Sequence, residues 1–387
     1  MHSGSVTSYL VLGGAGDMGS SVVTDLVFSR VEEVRIGDYN ISAAEKIADR
    51  FRKEVTDTKV TASFLDVNDR RKLREEIADS DIVINTVGPF YKYEKIVIDS
   101  AIEAERDYVD ICDDYDATLE SFSKEEEIRK GKSRILIGMG WTPGITNVCA
   151  KAGYDELDEV SDINIAWSGS ASDAAGIAVI SHVLHAVTGD VPMYLDGRLE
   201  YVPARQFKRE IEFPEPINKI ETYFVGHPEP VTIPKFLKNL RNVTLRGALV
   251  PDWHNHLVSQ LADIGLTEDR TVKVWDKEVS ARDFLASFVH QTMEQFRSGG
   301  VEMSGFWVEV LGRKNGKETV IEYSGAERMS KLTGWSASIG AQFITKNKQI
   351  LPGLYAPEGC INPSYFFGEL ARRNIRVKRV KKTIEIL

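Results

Sequence analysis

The amino-acid sequence predicts an α/β fold, with a doubly wound, mainly parallel sheet in its N-terminal part. Three observations indicate this. Short apolar segments alternate with helix-like segments over the first 140 residues, a glycine-rich turn directly follows the first apolar segment, and polar residues recur where the apolar segments end. Strands that alternate with helices are joined by right-handed crossovers into a parallel sheet. We therefore expect a Rossmann domain, which binds its ligand at the carboxyl ends of the strands.

Each element of this domain follows from a local pattern. Strands are expected where apolar residues cluster, and helices where apolar residues recur every three or four positions. Ser42 is expected to cap the second helix. The predicted strands comprise residues 9–12, 34–36, 59–65, 81–87, 107–111 and 134–138. The predicted helices comprise residues 18–28, 42–53, 68–77 and 93–104, and a helix rich in Glu and Lys precedes the sixth strand.

Charge and cysteine usage argue against several classes of protein. The formal net charge is −10 with both signs mixed along the chain, so a basic face for nucleic acid is not expected. The basic run 376–382 alternates with valine, which is typical of a solvated strand edge. Cys112, Cys149 and Cys360 lack metal-ligand spacing, so we expect small buried residues and no metal site. Without a membrane-length apolar stretch, and without a signal core in residues 1–8, a soluble cytoplasmic protein is expected.

The glycine-rich turn reads Gly14-Ala15-Gly16-Asp17-Met18-Gly19, a GxGxxG between a strand and a helix. Glycines there permit a tight turn and close approach of the backbone to a pyrophosphate, which the helix N-terminus attracts. Alone the motif is weak, because a plain structural turn would also explain it. Asp38, 19 residues past Gly19, ends the second strand, where a carboxylate can accept hydrogen bonds from ribose hydroxyls. Together they predict a nicotinamide dinucleotide site.

The identity of the second-strand acid favours NAD over NADP. A carboxylate at Asp38 would repel the 2′-phosphate of NADP, and neither Tyr39 nor Asn40 supplies a cation. Arg35, a cation on the same predicted strand, leaves NADP as an alternative cofactor.

Further cofactor contacts are expected at the ends of the third and fourth strands. Asp66 and Val67 lie where adenine edges are contacted, although Asp66 could instead cap a helix. The turn Thr86-Val87-Gly88-Pro89 is expected beside the nicotinamide ribose, because its glycine permits close approach and its proline stiffens the wall. Tyr91 follows this turn and is a candidate substrate contact.

After Gly140 the pattern changes to α+β with a large, mainly antiparallel sheet. Asp196-Gly197 and Asn315-Gly316 are each flanked by β-like segments and predict hairpins. We expect a Rossmann domain over residues 1–140, a substrate and dimerisation domain over 141–345, and a segment 346–387 that returns to the Rossmann domain. A large sheet with a second face to cover favours a homodimer.

Candidate substrate groups lie in this second domain. Arg246 ends a β segment and could clamp a carboxylate, or form a surface ion pair. His254 opens a helix, where an exposed histidine is the simpler interpretation. His182 and His185 lie in an apolar helix and are interpreted as core residues.

Several segments together resemble the saccharopine dehydrogenase family, most closely its lysine 6-dehydrogenase branch. They are VLGGAGDMG from Val11, TVGPF from Thr86, YVDI from Tyr108, GWTPGITN from Gly140, TLR from Thr244, LTGWSAS from Leu332 and the closing PEGCINPSYFFGELARRNI. The resemblance implies reversible oxidation of a C–N bond with a nicotinamide cofactor. It places the substrate beside Thr142, Pro143, Gly144, Asn147 and Arg246, and it raises His254 as a catalytic candidate. The chain has Asp99 where saccharopine reductases carry a basic residue, which argues against direct saccharopine chemistry.

The resulting hypothesis is an NAD-dependent oxidoreductase acting on a lysine-like amino acid. Hydride transfer needs an unprotonated amine, and the candidate bases are His254, Asp110 and Asp113. The acidic segment 113–118 suits a cationic amine. A same-fold reductase of a polyamine, opine-like or lipid substrate, and a non-catalytic nucleotide-binding protein, remain as alternatives.

Overall fold

The computed structural model describes residues 7–55, 57–173, 176–297 and 299–384. The chain divides into two compact units, each considered by itself. The first comprises Met1–Cys112, Asp116–Gly144 and Ser330–Ile361, and the second comprises Asp113–Tyr115, Ile145–Met329 and Asn362–Leu387. In the described ranges, no helix combines the length and the apolar character that a bilayer crossing requires.

The first part of the chain alternates strand and helix as predicted. The strands are β1 (Ser8–Leu12), β2 (Glu33–Asp38), β3 (Lys59–Phe64), β4 (Ile82–Asn85), β5 (Asp107–Asp110) and β6 (Arg134–Leu136). The helices are α1 (Asp17–Phe28), α2 (Ile41–Glu54), α3 (Arg70–Ala78), α4 (Phe90–Glu103), α5 (Tyr115–Ser123) and α6 (Glu125–Lys130).

The rest of the chain is richer in strands. The strands are β7 (Glu159–Ser170), β8 (Asp190–Leu195), β9 (Arg198–Pro203), β10 (Arg209–Glu212), β11 (Lys219–Phe224), β12 (Asn242–Val250), β13 (Thr271–Val274), β14 (Lys277–Ser280), β15 (Ser304–Lys314), β16 (Lys317–Glu327), β17 (Gly353–Tyr355) and β18 (Lys378–Ile384). The helices are α7 (Ile145–Glu156), α8 (Ile177–Ala186), α9 (Glu229–Phe236), α10 (Trp253–Asp263), α11 (Ala281–Gln291), α12 (Met329–Lys346), α13 (Pro357–Cys360) and α14 (Pro363–Arg372).

A parallel seven-stranded sheet in the order β17-β6-β5-β4-β1-β2-β3 forms the centre of the first unit. The order reverses at β1, which places β1 and β4 side by side at the switch point where dinucleotides bind. Its core is aliphatic, with Leu10, Val83, Val97 and Ile135 fully buried. The predicted doubly wound Rossmann fold is confirmed.

The second unit contains a mixed nine-stranded sheet, with β10-β11-β12-β7-β15-β16-β18 in order and β8 and β9 attached to β12. Only the β12–β7 pair is parallel among the described pairs of this sheet. Both predicted hairpins are confirmed, because Asp196-Gly197 joins β8 to β9 and Asn315-Gly316 joins β15 to β16. All four of these residues have positive φ, as a type I′ turn requires.

Three details differ from the sequence predictions. Asn40, not Ser42, caps α2, since its side chain accepts the N–H of Ala43 at 3.1 Å. The segment that returns to the Rossmann sheet is Ser330–Ile361, because β17 pairs with β6. The last helix and strand belong to the second unit, where β18 pairs with β16 as an edge strand. The expected boundaries 141–345 and 346–387 are therefore wrong, while the solvated strand edge at 376–382 is confirmed.

The cysteines are buried or partly buried, as expected of small core residues. Cys112 and Cys149 are buried, and Cys360 is partly buried.

Candidate functional site

The glycine turn after β1 combines two kinds of glycine. A Cβ atom at Gly14 would lie 2.9 Å from the Ile36 side chain, and one at Gly19 only 2.1 Å from the Gly13 carbonyl oxygen, so both positions pack tightly. A Cβ atom at Gly16 would meet nothing closer than 3.4 Å. Gly16 is also the N-cap of α1, with no side chain to occupy the amides of the first turn. The turn therefore leaves its open approach at the helix N-terminus, which fits a pyrophosphate.

Asp38, at the end of β2, is held beside this turn. Its Oδ2 accepts the N–H of Ala15 at 2.8 Å, and its Oδ1 accepts the N–H of Asn40 at 2.7 Å. Arg35, which kept NADP open, forms an ion pair with Glu76 and donates to the carbonyl oxygen of Asp79 at 2.8 Å. The carboxylate is therefore held at the end of β2 beside the glycine turn, and the cation of the same strand is engaged elsewhere.

The other predicted cofactor residues lie at the same edge of the sheet. Thr86 donates its hydroxyl to the Leu12 carbonyl oxygen at 2.7 Å, which ties the end of β4 to the glycine turn. Asp66 accepts the backbone and side-chain N–H groups of Asn68, both at 2.9 Å, in a turn before α3. The alternative that Asp66 caps the helix is wrong, because Asp69 is the N-cap of α3. Val67 is buried, Val87 and Gly88 are half-buried, and Pro89 is the N-cap of α4. Asp17 and Met18 begin α1.

Asp110 lies at the carboxyl end of β5 but has no exposed surface. It accepts hydrogen bonds from the Tyr108 hydroxyl at 2.9 Å and from the N–H groups of Cys112 and Gly138 at 3.0 and 2.7 Å. Burial raises the pKa of Asp110 to about 6, although the two backbone hydrogen bonds oppose the shift. Burial, followed by the charge of Asp110, raises the pKa of the buried Glu94 well above its ordinary range. This network holds the ends of β5 and β6 together from the interior.

The TPG segment is a compact turn that leads into α7. Gly144 has a φ of +130°, and a Cβ atom there would lie 1.9 Å from the Gly140 carbonyl oxygen. The Gly140 N–H donates to the carbonyl oxygen of Pro143 at 2.9 Å, and Thr142 is buried. Position 144 therefore requires glycine, because a side chain there would collide with the backbone of Gly140. Tyr91, the other candidate near the first unit's strand ends, is half-buried.

The second unit gathers five ionisable side chains into one buried cluster, which we call the His182 cluster. His182 on α8 contacts two carboxylates that precede α5, His227 lies between β11 and α9, and Glu229 is the first residue of α9. The members are Asp113, Asp114, His182, His227 and Glu229. Asn147, predicted as a substrate contact, is buried in the same unit and donates to Thr232 at 3.3 Å.

Each imidazole in this cluster is held at Nδ1 by a carboxylate. His182 Nδ1 lies 2.9 Å from Asp114 Oδ1 and 3.4 Å from Asp113 Oδ1. His227 Nδ1 lies 2.7 Å from Glu229 Oε2, and the two imidazole rings meet edge to face at 5.1 Å. Asp113, Asp114 and His182 keep their donor atoms within 4.8 Å of one another, a spacing that hydrogen bonds to a protonated imidazole explain without a metal ion.

The electrostatics of the cluster favour a charged imidazole. Burial would lower the pKa of His182, but the charge of Asp113 and the hydrogen bond to Asp114 overcome it and raise the pKa to about 9. Burial raises the pKa of Asp113 to about 6, while the charges of His182 and His227 oppose the shift. At neutral pH the cluster therefore holds an imidazolium beside an ionised Asp113.

His254 is the second residue of α10, in the second unit. Its ring packs against Trp253 at 4.0 Å and Phe296 at 6.1 Å, and it is 5% exposed, so the exposed histidine expected as the simpler interpretation is wrong. Burial lowers its pKa, against two backbone hydrogen bonds, which keeps it neutral. Among the described residues, no hydrogen bond or ion pair joins it to Asp113.

Arg246 lies on the other face of the sheet from the His182 cluster. A Cβ atom at Gly247 would be 2.4 Å from the Trp167 ring, so Gly247 faces Trp167, whose ring lies 6.2 Å from that of His227. Because side chains alternate along a strand, Arg246 faces the opposite side. There its guanidinium covers the Phe224 ring at 4.3 Å and donates to a backbone carbonyl group.

Sequence reasoning missed His182, His227, Asp114 and Glu229. The pair His227 and Glu229 carries a local signal, because a carboxylate two residues after a histidine can reach back to its imidazole. No local signal connects residue 114 with residue 182.

Two family models match the chain. Residues 9–134 match the saccharopine dehydrogenase NADP binding domain, and residues 140–375 match the saccharopine dehydrogenase C-terminal domain. The second match alone covers more than half of the chain. The chain therefore belongs to the saccharopine dehydrogenase family of oxidoreductases, and its N-terminal domain is one that binds a nicotinamide nucleotide.

One solved structure shares the fold over nearly the whole chain. The apo saccharopine dehydrogenase (L-Glu forming) from Saccharomyces cerevisiae superposes with a TM-score of 0.71 at 17% identity, covering 98% of this chain and all of that one. At this identity the likeness shows a shared fold. Shikimate 5-dehydrogenase from Listeria monocytogenes, solved with shikimate and NAD, has a TM-score of 0.26 at 22% identity, covering 34% of this chain and 46% of that one. FolM alternative dihydrofolate reductase 1 from Brucella suis, solved with NADP, has a TM-score of 0.28 at 18% identity, covering 34% of this chain and 73% of that one. TM-scores this low support no conclusion about this chain.

Proposed function

We propose that the protein is an NAD-dependent oxidoreductase that acts on a C–N bond of a lysine-like amino acid, as lysine 6-dehydrogenases and saccharopine reductases do. The observation that carries the proposal is that one chain holds both a dinucleotide turn buttressed by Asp38 and an acidic cluster that opens to solvent at Asp113. The turn suits a nicotinamide nucleotide, and the ionised carboxylate suits a cationic amine. Membership of the saccharopine dehydrogenase family supports both the nicotinamide nucleotide and the amine substrate.

NAD is proposed over NADP although the matching family model is named for NADP. The Asp38 carboxylate would face the 2′-phosphate of NADP and repel it. Arg35 is engaged by Glu76, so it supplies no ready cation. Asn40 is occupied as the cap of α2, and Tyr39 is 74% exposed and offers a phenol, which is not a cationic group.

The proposed reaction divides between cofactor and protein. A nicotinamide nucleotide held at the glycine turn and Asp38 would supply the acceptor for the hydride on the carbon that bears the nitrogen. The substrate ammonium must first lose a proton, because only the neutral amine has the lone pair that expels the hydride. The products of this step are an iminium ion, the reduced nucleotide and one proton, and water then hydrolyses the iminium ion to a carbonyl compound and an ammonium ion.

Asp113 is the proposed proton acceptor. Its side chain is 29% exposed and ionised at neutral pH, whereas Asp110 has no exposed surface and serves the interior of the first unit. His254 is neutral and is the second candidate. Arg246 is not included in the proposed site, because it lies across the sheet from the cluster that contains Asp113.

The test is a spectrophotometric assay of the purified protein with NAD or NADP against a panel of amines. The panel contains L-lysine, a diamine without a carboxylate, an N-substituted amino acid and an alcohol as negative control. Reduction of NAD by L-lysine, with weaker reduction of NADP, is the expected result. Tight NAD binding without reduction by any amine would refute the amine half, and turnover of an apolar carbonyl compound instead would favour a same-fold reductase.

A further inference from the structure

The His182 cluster gathers three carboxylates and two imidazoles, and among these five side chains only Asp113 is substantially exposed to solvent. Asp113 is 29% exposed at its side chain, against 7% for His182, 2% for His227 and none for Asp114 or Glu229. A substrate ammonium group can therefore reach Asp113 more readily than any other carboxylate of the cluster.

We propose that His182, supported by His227, is a positioning residue that holds Asp113 in place and keeps it ionised as the proton acceptor of amine oxidation. This inference rests on the proposed function. His182 itself does not touch the substrate; it acts through Asp113.

The first support is geometric. His182 Nδ1 donates to Asp114 at 2.9 Å and lies 3.4 Å from Asp113, so one imidazole is shared by two adjacent carboxylates. Sharing restrains the backbone segment that carries both carboxylates. It also places a positive charge against the oxygen of Asp113, where an ionised carboxylate is otherwise disfavoured by burial.

The second support is the group behind His182. The edge-to-face contact places His227 next to the His182 ring, and Glu229 holds His227 at Nδ1. Thr146 on α7 donates its hydroxyl to the other oxygen of Glu229 at 3.0 Å. His227 thus has a fixed orientation.

Charged and titratable groups from three parts of the chain lie around Asp113. Asp114 and Tyr115 follow it directly, His182 and His185 come from α8, and His227 and Glu229 come from the start of α9 and the two residues before it. The His185 ring stacks on Tyr115 at 5.7 Å. Among the described residues His182 is the nearest cation to Asp113, so its removal should affect the pKa of Asp113 most strongly.

The decisive variant is His182→Asn. The asparagine amide can still donate to Asp114, but it carries no charge. With the imidazolium gone, burial acts on Asp113 unopposed by its nearest cation, so its pKa should rise above 6. We expect the acid limb of the pH profile of kcat/KM to move by about one unit or more to higher pH, because the acceptor must be deprotonated. The plateau value of kcat should change much less.

Three comparisons make the result specific. Asp113→Asn should lower kcat about 100-fold or more at every pH, as loss of a general base does. His227→Asn should shift the acid limb in the same direction by a smaller amount. His256→Asn, at a histidine whose side chain is 73% exposed, should leave the profile unchanged.

A measurement without turnover completes the test. The ¹³C-labelled imidazoles of the chelator-treated protein are titrated by NMR, and the His182 signal is assigned by its loss in His182→Asn. It should remain an imidazolium through pH 8. An unmoved acid limb in an active His182→Asn enzyme, or a His182 that titrates at its ordinary pH, would overturn this inference alone. Activity lost to the chelator and restored by zinc would also overturn it. Absence of amine oxidation by the wild type would overturn the proposed function and this inference together.

Discussion

Replacing Gly19 by alanine tests whether the glycine turn depends on close packing between α1 and the loop after β1. The added Cβ atom would lie 2.1 Å from the Gly13 carbonyl oxygen and 2.7 Å from the Gly14 Cα atom. Both are backbone atoms, so no side chain can rotate away. The helix must retreat from the turn by more than an ångström, and overpacking of this kind costs about 1–3 kcal/mol.

The loss of folding stability in Gly19→Ala should be measurable in the cofactor-free protein. A destabilisation of about 2 kcal/mol lowers the unfolding midpoint of a domain of this size by about 4–8 °C, since each kcal/mol is worth about 2–4 °C. Thermal unfolding of the cofactor-free protein, followed by circular dichroism, measures it. NAD affinity, measured by calorimetry, should fall as well because the amides of α1 move away from the phosphates.

Gly16→Ala is the matched control, three positions earlier in the same turn. Its Cβ atom meets nothing closer than 3.4 Å, so the stability of the cofactor-free protein should change by less than about 1 kcal/mol. The same methyl group occupies the open approach, so NAD affinity should still fall. Equal unfolding midpoints for the two variants would contradict the assignment of packing to Gly19 and cofactor approach to Gly16.

Three further predictions concern single residues. In Asp38→Asn the amide NH₂ group faces one of the two backbone N–H groups that donate to the carboxylate of the wild type. NAD affinity should therefore fall about tenfold, and the preference for NAD over NADP should become smaller. Calorimetry with both nucleotides measures the two effects. Arg134→Ala removes a buried guanidinium that binds the carboxylate of Asp107, at a cost of about 3–5 kcal/mol in urea unfolding, while Arg50→Ala, in an exposed ion pair, should cost less than about 1 kcal/mol. Because the folded chain retains the proton of Glu94 above the pH at which the unfolded chain releases it, wild-type stability should decline as pH rises through that window. Glu94→Gln should flatten this decline, and an unchanged slope in urea titrations at several pH values would refute the assignment.

Most of the first unit could be predicted because its elements are encoded locally. Apolar runs predicted all of the strands from β1 to β6, and the strand–glycine–helix pattern predicted the turn. The missed strand, Gly353–Tyr355, has only three residues and lies more than 200 positions from its partner β6. Nothing in so short a segment distinguishes a strand from a loop, so its pairing is decided by the space left beside β6.

The second unit shows what local reasoning leaves undecided at a single residue. Arg246 ends a β segment beside a glycine, which suits a substrate clamp, and that pattern holds on either face of a sheet. The face is decided by the register of β12 against β7, which puts Gly247 under Trp167 and Arg246 on the opposite side. A one-residue change of register would have exchanged the two faces.

His182 illustrates the same limit for charge. Its helix is apolar, and a histidine there is interpreted as a core residue because nothing within one or two turns of α8 offers it a carboxylate. The carboxylates come from 68 and 69 residues earlier in the chain, and they convert a neutral core imidazole into an imidazolium. His227 differs, since its carboxylate is only two residues away and could have been recognised. The charge of a buried histidine is thus a property of the tertiary fold, and the pH profile of His182→Asn measures whether the fold uses that charge at Asp113.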